Sequence, residues 1–211
     1  SPNFLVSAPI PPEPGNKSLE GFRGVGAEIA ALLNLQGGSG EGITVAVLDS
    51  GIADHSAFAA TTIRRSDDVS MDGEPGLGHG TAMASIIAGN HPQTPGVAPG
   101  ATLLDIPVLN DQGIGDTFSL AEGIVEAVDA GAQIINLSLG SAADSPLVRE
   151  AVAYAVSRDR VMVAAAGNEG GDAISYPARI PEVLAVGASD ASNRVLPFSN
   201  RGEGLDVVAP G

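Results

Sequence analysis

The chain has 211 residues, 44% apolar and only 3% aromatic, enough for one sizeable core built from Ala, Val, Ile and Leu. Its 25 acidic and 10 basic side chains leave a formal charge of −15, which argues against nucleic acid or an anionic membrane as partner, since both are held by Lys and Arg surfaces. There is no Cys, which excludes disulfides, thiolate metal sites and a Cys nucleophile, and no apolar run approaches the ~18 residues of a membrane span.

Residues 1–16 carry Pro2, Pro9, Pro11, Pro12 and Pro14, so residues 1–40 read as a Pro/Gly-rich N-terminal arm with little structure of its own beyond a short helix within Gly21–Gln36. Gly37, Gly38 and Gly40 end that helix. From residue 41 a rhythm begins, in which short apolar runs alternate with helical patterns. The runs are Ile43–Leu48, Thr102–Leu109, Gln133–Leu139, Val161–Ala166, Val183–Ala188 and Leu205–Ala209. Between them, Gly78-His79-Gly80-Thr81 opens a helix over Thr81–Ala88. Ser119 and Glu122 suggest a capping box for a helix whose stripe is Leu120, Ile124, Ala127 and Val128 and which Gly131 ends. Ser145 and Pro146 suit the start of another, with Val148, Val152, Ala155 and Val156 on one face. Strands apolar on both faces and separated by helices predict an α/β fold, three layers deep, with a mostly parallel sheet covered on both sides.

In open parallel sheets, sites form beyond the carboxyl ends of the strands. Asp49-Ser50-Gly51 follows the first run, and Gly167-Asn168-Glu169-Gly170 follows the fourth. An Asp, a His and an Asn at such places suggest acid–base chemistry, with the Asp orienting a proton-moving His and the amide holding a developing oxyanion. No Gly-rich phosphate fingerprint follows the first strand, so a nucleotide-binding domain is disfavoured.

Val47-Leu48-Asp49-Ser50-Gly51, Gly78-His79-Gly80-Thr81 and Val163-Ala164-Ala165-Ala166-Gly167-Asn168 resemble, in that order, the aspartate, histidine and oxyanion-asparagine motifs of subtilisin-like serine proteases, the subtilase family. Gly96-Val97-Ala98-Pro99, Ile135-Asn136-Leu137-Ser138-Leu139-Gly140, Tyr176-Pro177, Phe198-Ser199 and Val208-Ala209-Pro210-Gly211 resemble further family segments. The resemblance implies a subtilisin-like peptidase domain over 41–211. It implies that Asp49 orients His79, that His79 is base and then acid, and that Asn168 donates to the tetrahedral intermediate. Ser138, Leu139 and Gly140 would form one wall of the pocket for the residue before the scissile bond, and Ala165, Ala166 and Gly167 the other. Gly113, Ile114 and Gly115 would offer a strand edge for the backbone of a peptide or protein substrate. A cis bond at Tyr176-Pro177 and a secreted or extracytoplasmic location are likewise implied.

The family's nucleophile lies in a Gly-Thr-Ser segment downstream of the Ala-Pro-Gly motif, and no Gly-Thr-Ser occurs in this chain. Gly80-Thr81-Ala82-Met83-Ala84-Ser85 mimics that segment with Ala82 in the nucleophile's place, but it starts from His79 and belongs to the histidine motif. Removing the nucleophile from such a triad lowers turnover about 10⁶-fold, so this chain alone is expected to be inactive. A missing central helix would outweigh the ~5–15 kcal/mol net stability of a domain, so this chain is not expected to stand alone as a full fold. The resemblance therefore implies a second polypeptide carrying the Ser and central helix, or a nick. The alternative is an inactive subtilase-like peptide-binding or scaffold module, which has little reason to keep Asp49, His79 and Asn168 together. No cofactor is implied. The region Ala88–Pro95 lacks the ligands of the family's usual calcium loop, while the acidic residues Asp67, Asp68, Asp72 and Glu74 read as solvated surface with room for weak calcium. His55 and His91 read as loop residues.

Overall fold

The computed structural model of the chain describes residues 3–8, 39–66, 78–92 and 94–211. The helix predicted within Gly21–Gln36 and the acidic residues Asp67, Asp68, Asp72 and Glu74 lie outside the described residues. In chain order the elements are β1 (Leu5–Ser7), β2 (Thr44–Asp49), a 3₁₀ turn (Ser56–Phe58), β3 (Ile63–Arg65), α1 (His79–Ala88), β4 (Asn90–His91), β5 (Thr94–Pro95), β6 (Thr102–Pro107) and β7 (Ile114–Asp116). They continue with α2 (Thr117–Asp129), β8 (Ile134–Leu137), α3 (Pro146–Ser157), β9 (Val161–Ala165), β10 (Leu184–Ser189) and β11 (Val207–Pro210).

Each of the six predicted runs contributes a strand to one seven-stranded sheet of order β11-β10-β9-β8-β2-β6-β3. All of its pairings are parallel. β2 is the switch point: β6 and β3 extend from one side of it and β8 to β11 from the other, so its carboxyl end opens the crevice where parallel sheets place sites. The side chains of β2 alternate between two cores. Ala46 and Leu48 join Leu104, Ile106, Ile135 and Met162 beneath α2 and α3. Val45 and Val47 join Leu103, Ala84 and Ala88 beneath α1.

Covering on both sides holds for β2 and β6 but not for the whole sheet. On β8, β9 and β10 only one side chain in two is buried. Ile135, Met162, Ala164 and Ala185 point into the larger core, whereas Val161 is 53% and Leu184 40% exposed on the α1 side, with Ile134, Val163 and Val186 half-buried. α1 is ten residues long and packs on β2 and β6, so it leaves this half of the face open.

The helix starts also differ in detail. α1 begins at His79 rather than Thr81, behind Gly78. α2 is capped by Asp116, three residues before the predicted cap Ser119, because Asp116 is the stronger cap: its Oδ1 accepts from Phe118 N and Ser119 N, both at 2.9 Å. Pro146 does open α3, but Ser145 is buried and its hydroxyl makes no capping bond. Gly131, at φ +85°, takes the left-handed position that terminates α2. Asp116→Ala should lower the denaturant midpoint by the equivalent of about 1 kcal/mol at unchanged m-value. An unshifted midpoint would remove the capping role.

Candidate active site

Asp49 is the last residue of β2 and has no exposed surface. Its main-chain oxygen accepts from Val108 N (2.9 Å) and Leu109 N (3.0 Å), which ties the strand end to the chain leaving β6. Its carboxylate accepts from Ser50 N at 2.7 Å and lies 2.9 and 3.0 Å from Nδ1 of His79, the first residue of α1. A buried carboxylate at that distance holds the proton on Nδ1, which leaves Nε2, on the opposite side of the ring, free to take a proton from another group. The His79 side chain is 25% exposed, so that side is accessible.

The approach of α1 to the Asp49 loop depends on Gly80. A Cβ at that position would sit 2.6 Å from the Gly51 carbonyl oxygen. Without it, Gly80 N–H reaches Ser50 Oγ (3.2 Å) and Ala53 N–H reaches Thr81 Oγ1 (3.0 Å), so the first turn of α1 is stitched to the loop that carries Asp49. Ser85, the Ser of the mimic motif, is helical, and its hydroxyl donates to Ala82 O.

Past the end of β9, Asn168 borders a cavity of about 640 Å³ whose lining includes Leu139, Gly140, Ala165 and Gly167. Two of the proposed wall residues lie elsewhere. Ala166 is 1% exposed and packs in the larger core, because the alternation of β9 turns it away from its neighbours. Ser138 is not part of the lining, and its hydroxyl accepts from Asn136 Nδ2. The loop of Asn168 is organised by Asn200, a buried residue that sequence reasoning passed over. Asn200 Oδ1 accepts from Glu169 N (3.1 Å) and Gly171 N (3.0 Å), its Nδ2 donates to Ala166 O (3.2 Å) and Glu169 Oε2 (2.6 Å), and its main-chain N–H donates to Gly167 O. A Cβ on Gly167 would collide with the Asn200 amide, and Gly167 has φ +105°. The Tyr176-Pro177 bond nearby is cis.

The edge predicted at Gly113, Ile114 and Gly115 is occupied by the chain itself. Residues of the supposedly unstructured arm form β1, antiparallel to β7, with Val6 opposite Gly115 and Ser7 opposite Ile114. On its other side Ser7 exchanges two bonds with Gly140, at 3.0 and 2.9 Å, and Ala8 N–H donates to Gly113 O. The segment is thus a middle strand between the two predicted substrate-binding edges. Val6 is 1% exposed and shares a small apolar recess with Leu120, Val148 and Ile180, while Leu5 on the opposite face is 71% exposed. Thr117 and Asn3 fasten its start. The arm orders because the two edges supply the backbone partners that it lacks by itself. Sequence reasoning also missed Asp105, behind the Asp49 loop; its signal was a lone charge inside the apolar run Thr102–Leu109.

The family model for the subtilases, peptidase S8, matches residues 40–211. Subtilisin Savinase of Lederbergia lenta is 43% identical over 182 residues, covering 83% of this chain and 66% of that protein. Thermitase of Thermoactinomyces vulgaris is 38% identical over 178 residues, covering 82% and 64%. Among solved structures, the prenylagaramide maturation protease PagA superposes with TM-score 0.75 at 31% identity, covering 87% of this chain and 67% of that one. The patellamide maturation protease PatA superposes with TM-score 0.72 at 37% identity, covering 81% and 66%. The chain spans about two thirds of the length of Savinase, and 47% of an alkaline protease of Shouchella clausii.

Asn200→Ala should strip two main-chain N–H groups of their acceptor and lower stability by about 2 kcal/mol. Amide exchange at Glu169 and Gly171 should accelerate with it. Unchanged protection of those two amides would show that the loop holds its shape without Asn200.

Proposed function

This chain belongs to the subtilase family, and we propose that it forms the greater part of a serine endopeptidase of the subtilisin type, hydrolysing peptide bonds in a peptidase domain that begins near residue 41. The single observation that carries the reading is the pairing of the buried Asp49 with His79 beside a groove that already grips an extended peptide, the chain's own β1. In this reading Asp49 orients the imidazole and balances its charge. His79 Nε2 takes the proton of the nucleophile's hydroxyl as that oxygen bonds to the scissile carbonyl carbon, and then delivers it to the departing amine. The Asn168 amide donates to the carbonyl oxygen as negative charge builds on it. Gly113–Gly115 and Gly140 bind substrate through its backbone, so cleavage tolerates many sequences, and the cavity bordered by Ala165 and Gly167 selects the side chain before the scissile bond.

The nucleophile belongs, on this proposal, to a Ser-bearing segment outside these 211 residues, either missing from them or carried by a second polypeptide. The half-open apolar face of β8, β9 and β10 supports it. That face alternates with the one buried in the larger core, and Val161, Val163, Leu184 and Val186 on it offer a seat for a further helix. Burying such side chains contributes about 25 cal/mol per Å² removed from water, which would help to seat the segment. We also infer an extracytoplasmic setting and weak calcium binding by Asp67, Asp68, Asp72 and Glu74. Chelator-dependent melting tests the calcium. Among the described residues no helix is long and apolar enough to cross a membrane.

The second reading, an inactive peptide-binding module, is favoured by the same occupied groove. A fluorophosphonate probe separates the two. Label is expected on the polypeptide that bears the Ser, and His79→Ala should abolish it, with turnover falling about 10⁶-fold, the magnitude established for subtilisin itself. Asn168→Ala should lower kcat about 10²–10³-fold, as loss of one oxyanion donor does in subtilisin. A protein that takes no label and has no Ser-bearing partner is the binding module.

Val6→Asp tests whether β1 and substrate share the groove. A charge in that recess should expel the segment, and a labelled apolar tetrapeptide should then bind roughly tenfold more tightly or better, since an unpaired buried charge is far more costly than an exposed one. Equal affinity for both proteins would mean that β1 does not compete with substrate.

A further inference from the structure

Asp105 is the most unusual ionisable group in the described structure. It sits in the middle of β6, in register with Val47 of β2 on one side and Arg65 of β3 on the other, and is 2% exposed. Its Oδ2 accepts from Ile52 N at 3.1 Å and lies 3.8 Å from Arg65 Nε, and its Oδ1 is buried with no hydrogen-bond partner among the described residues. Arg65 completes the arrangement from the other end of the same residue, because its Nη2 donates to Ile52 O at 2.9 Å and to Asp54 Oδ1 at 3.0 Å. Ile52, fully buried, is thereby held at both its N–H and its carbonyl.

Ile52 is the third residue after Asp49. The loop between them is held on its α1 side by the Ser50–Gly80 and Ala53–Thr81 bonds. Asp105 and Arg65 hold it from the β3–β6 side. We propose that Asp105 and Arg65 form a clamp on Ile52 that sets the position of the Asp49 carboxylate against His79, which makes Asp105 a positioning residue of the active site. The proposal rests on the catalytic assignment of Asp49 and His79 but needs no substrate contact by Asp105.

A buried carboxylate is a poor choice for stability alone. Burial pushes the Asp105 carboxyl up to about 6; the Ile52 N–H and Arg65 pull against that rise, and the negative charge of Asp49 adds to it. The charged groups facing it among the described residues are Asp49 on β2 and Arg65 on β3, with His79 of α1 beyond Asp49 and Asp54 beyond Arg65. The folded value lies above the ordinary 3.8, so the folded chain holds this proton more tightly than the unfolded chain does. The stability that follows is therefore fully present below about pH 4 and is lost as the pH rises through about 6. Above that pH the ionised carboxylate grips the Ile52 N–H and Arg65 through charge-assisted contacts at the expense of stability, and below it the grip weakens.

Two variants separate positioning from packing. Asp105→Asn keeps an acceptor for Ile52 N–H without the charge, while Asp105→Leu keeps the branched shape and removes the acceptor. In the chain as it stands, the Ile52 amide resonance should titrate with a midpoint near pH 6 and become flat in Asp105→Asn, which should also melt higher than the parent at pH 8. In the Ser-complemented enzyme at pH 8, Asp105→Leu should lower kcat about tenfold or more at unchanged KM, because the groove is untouched while the dyad is misplaced. Asp105→Asn should restore most of that loss. An Ile52 amide that ignores pH in the parent, or an Asp105→Leu enzyme with parental kcat, overturns the clamp. If the complemented parent enzyme is itself inactive, the endopeptidase reading fails, and the Ile52 titration still decides the clamp.

Discussion

A carboxylate with no access to water must be satisfied by the protein around it, and the Asp49 carboxylate is satisfied by two donors, Ser50 N–H and His79 Nδ1. Each donor is itself held in place. Ser50 lies on a loop joined to α1, and His79 is the first residue of that helix, so the loop and the helix start fix one another. The strand end is fixed in turn by the chain leaving β6, which donates twice to the Asp49 carbonyl. A burial cost of this kind is tolerated only where every partner is preorganised, which is also the condition for an imidazole to move protons without first reorganising its surroundings.

The groove beside this pair works through main-chain groups. β7 and Gly140 are two edges with a strand-width gap between them, and unpaired edges attract extended chains. In the structure the gap is filled by Leu5–Ser7, whose alternation sends Val6 into an apolar recess and Leu5 toward solvent. The pairing there uses main-chain N–H and C=O groups and asks for no basic side chain.

The sheet is asymmetric about β2. On β2 and β6 both faces are covered, by α1 below and α2 above. On the other side α2 and α3 cover one face and leave apolar side chains of β8 to β10 half in water.

Much of this was legible in the chain. The strands were readable because β-branched runs bounded by glycine have few other folds, and Asp49, His79 and Asn168 stood out as candidates because each follows or opens an element of a parallel α/β sheet. What escaped depends on partners distant in sequence. Asp116 outcompeted the Ser119 cap only through its geometry, and Ala166 turned from the cavity because β9 sets its alternation. Asn200 reaches the Asn168 loop from 31 residues beyond Glu169, and Asp105 reaches Ile52 from 53 residues away. The arm looked unstructured because its partners, β7 and Gly140, lie more than a hundred residues on. Local pattern alone determined most of the strands and helices of the main sheet and which residues are candidates for the chemistry, since period and turn residues are short-range properties. Only the tertiary structure decided what holds the Asp49 loop, what fills the groove and which half of the sheet stays bare, since those are set by pairings that no local window contains.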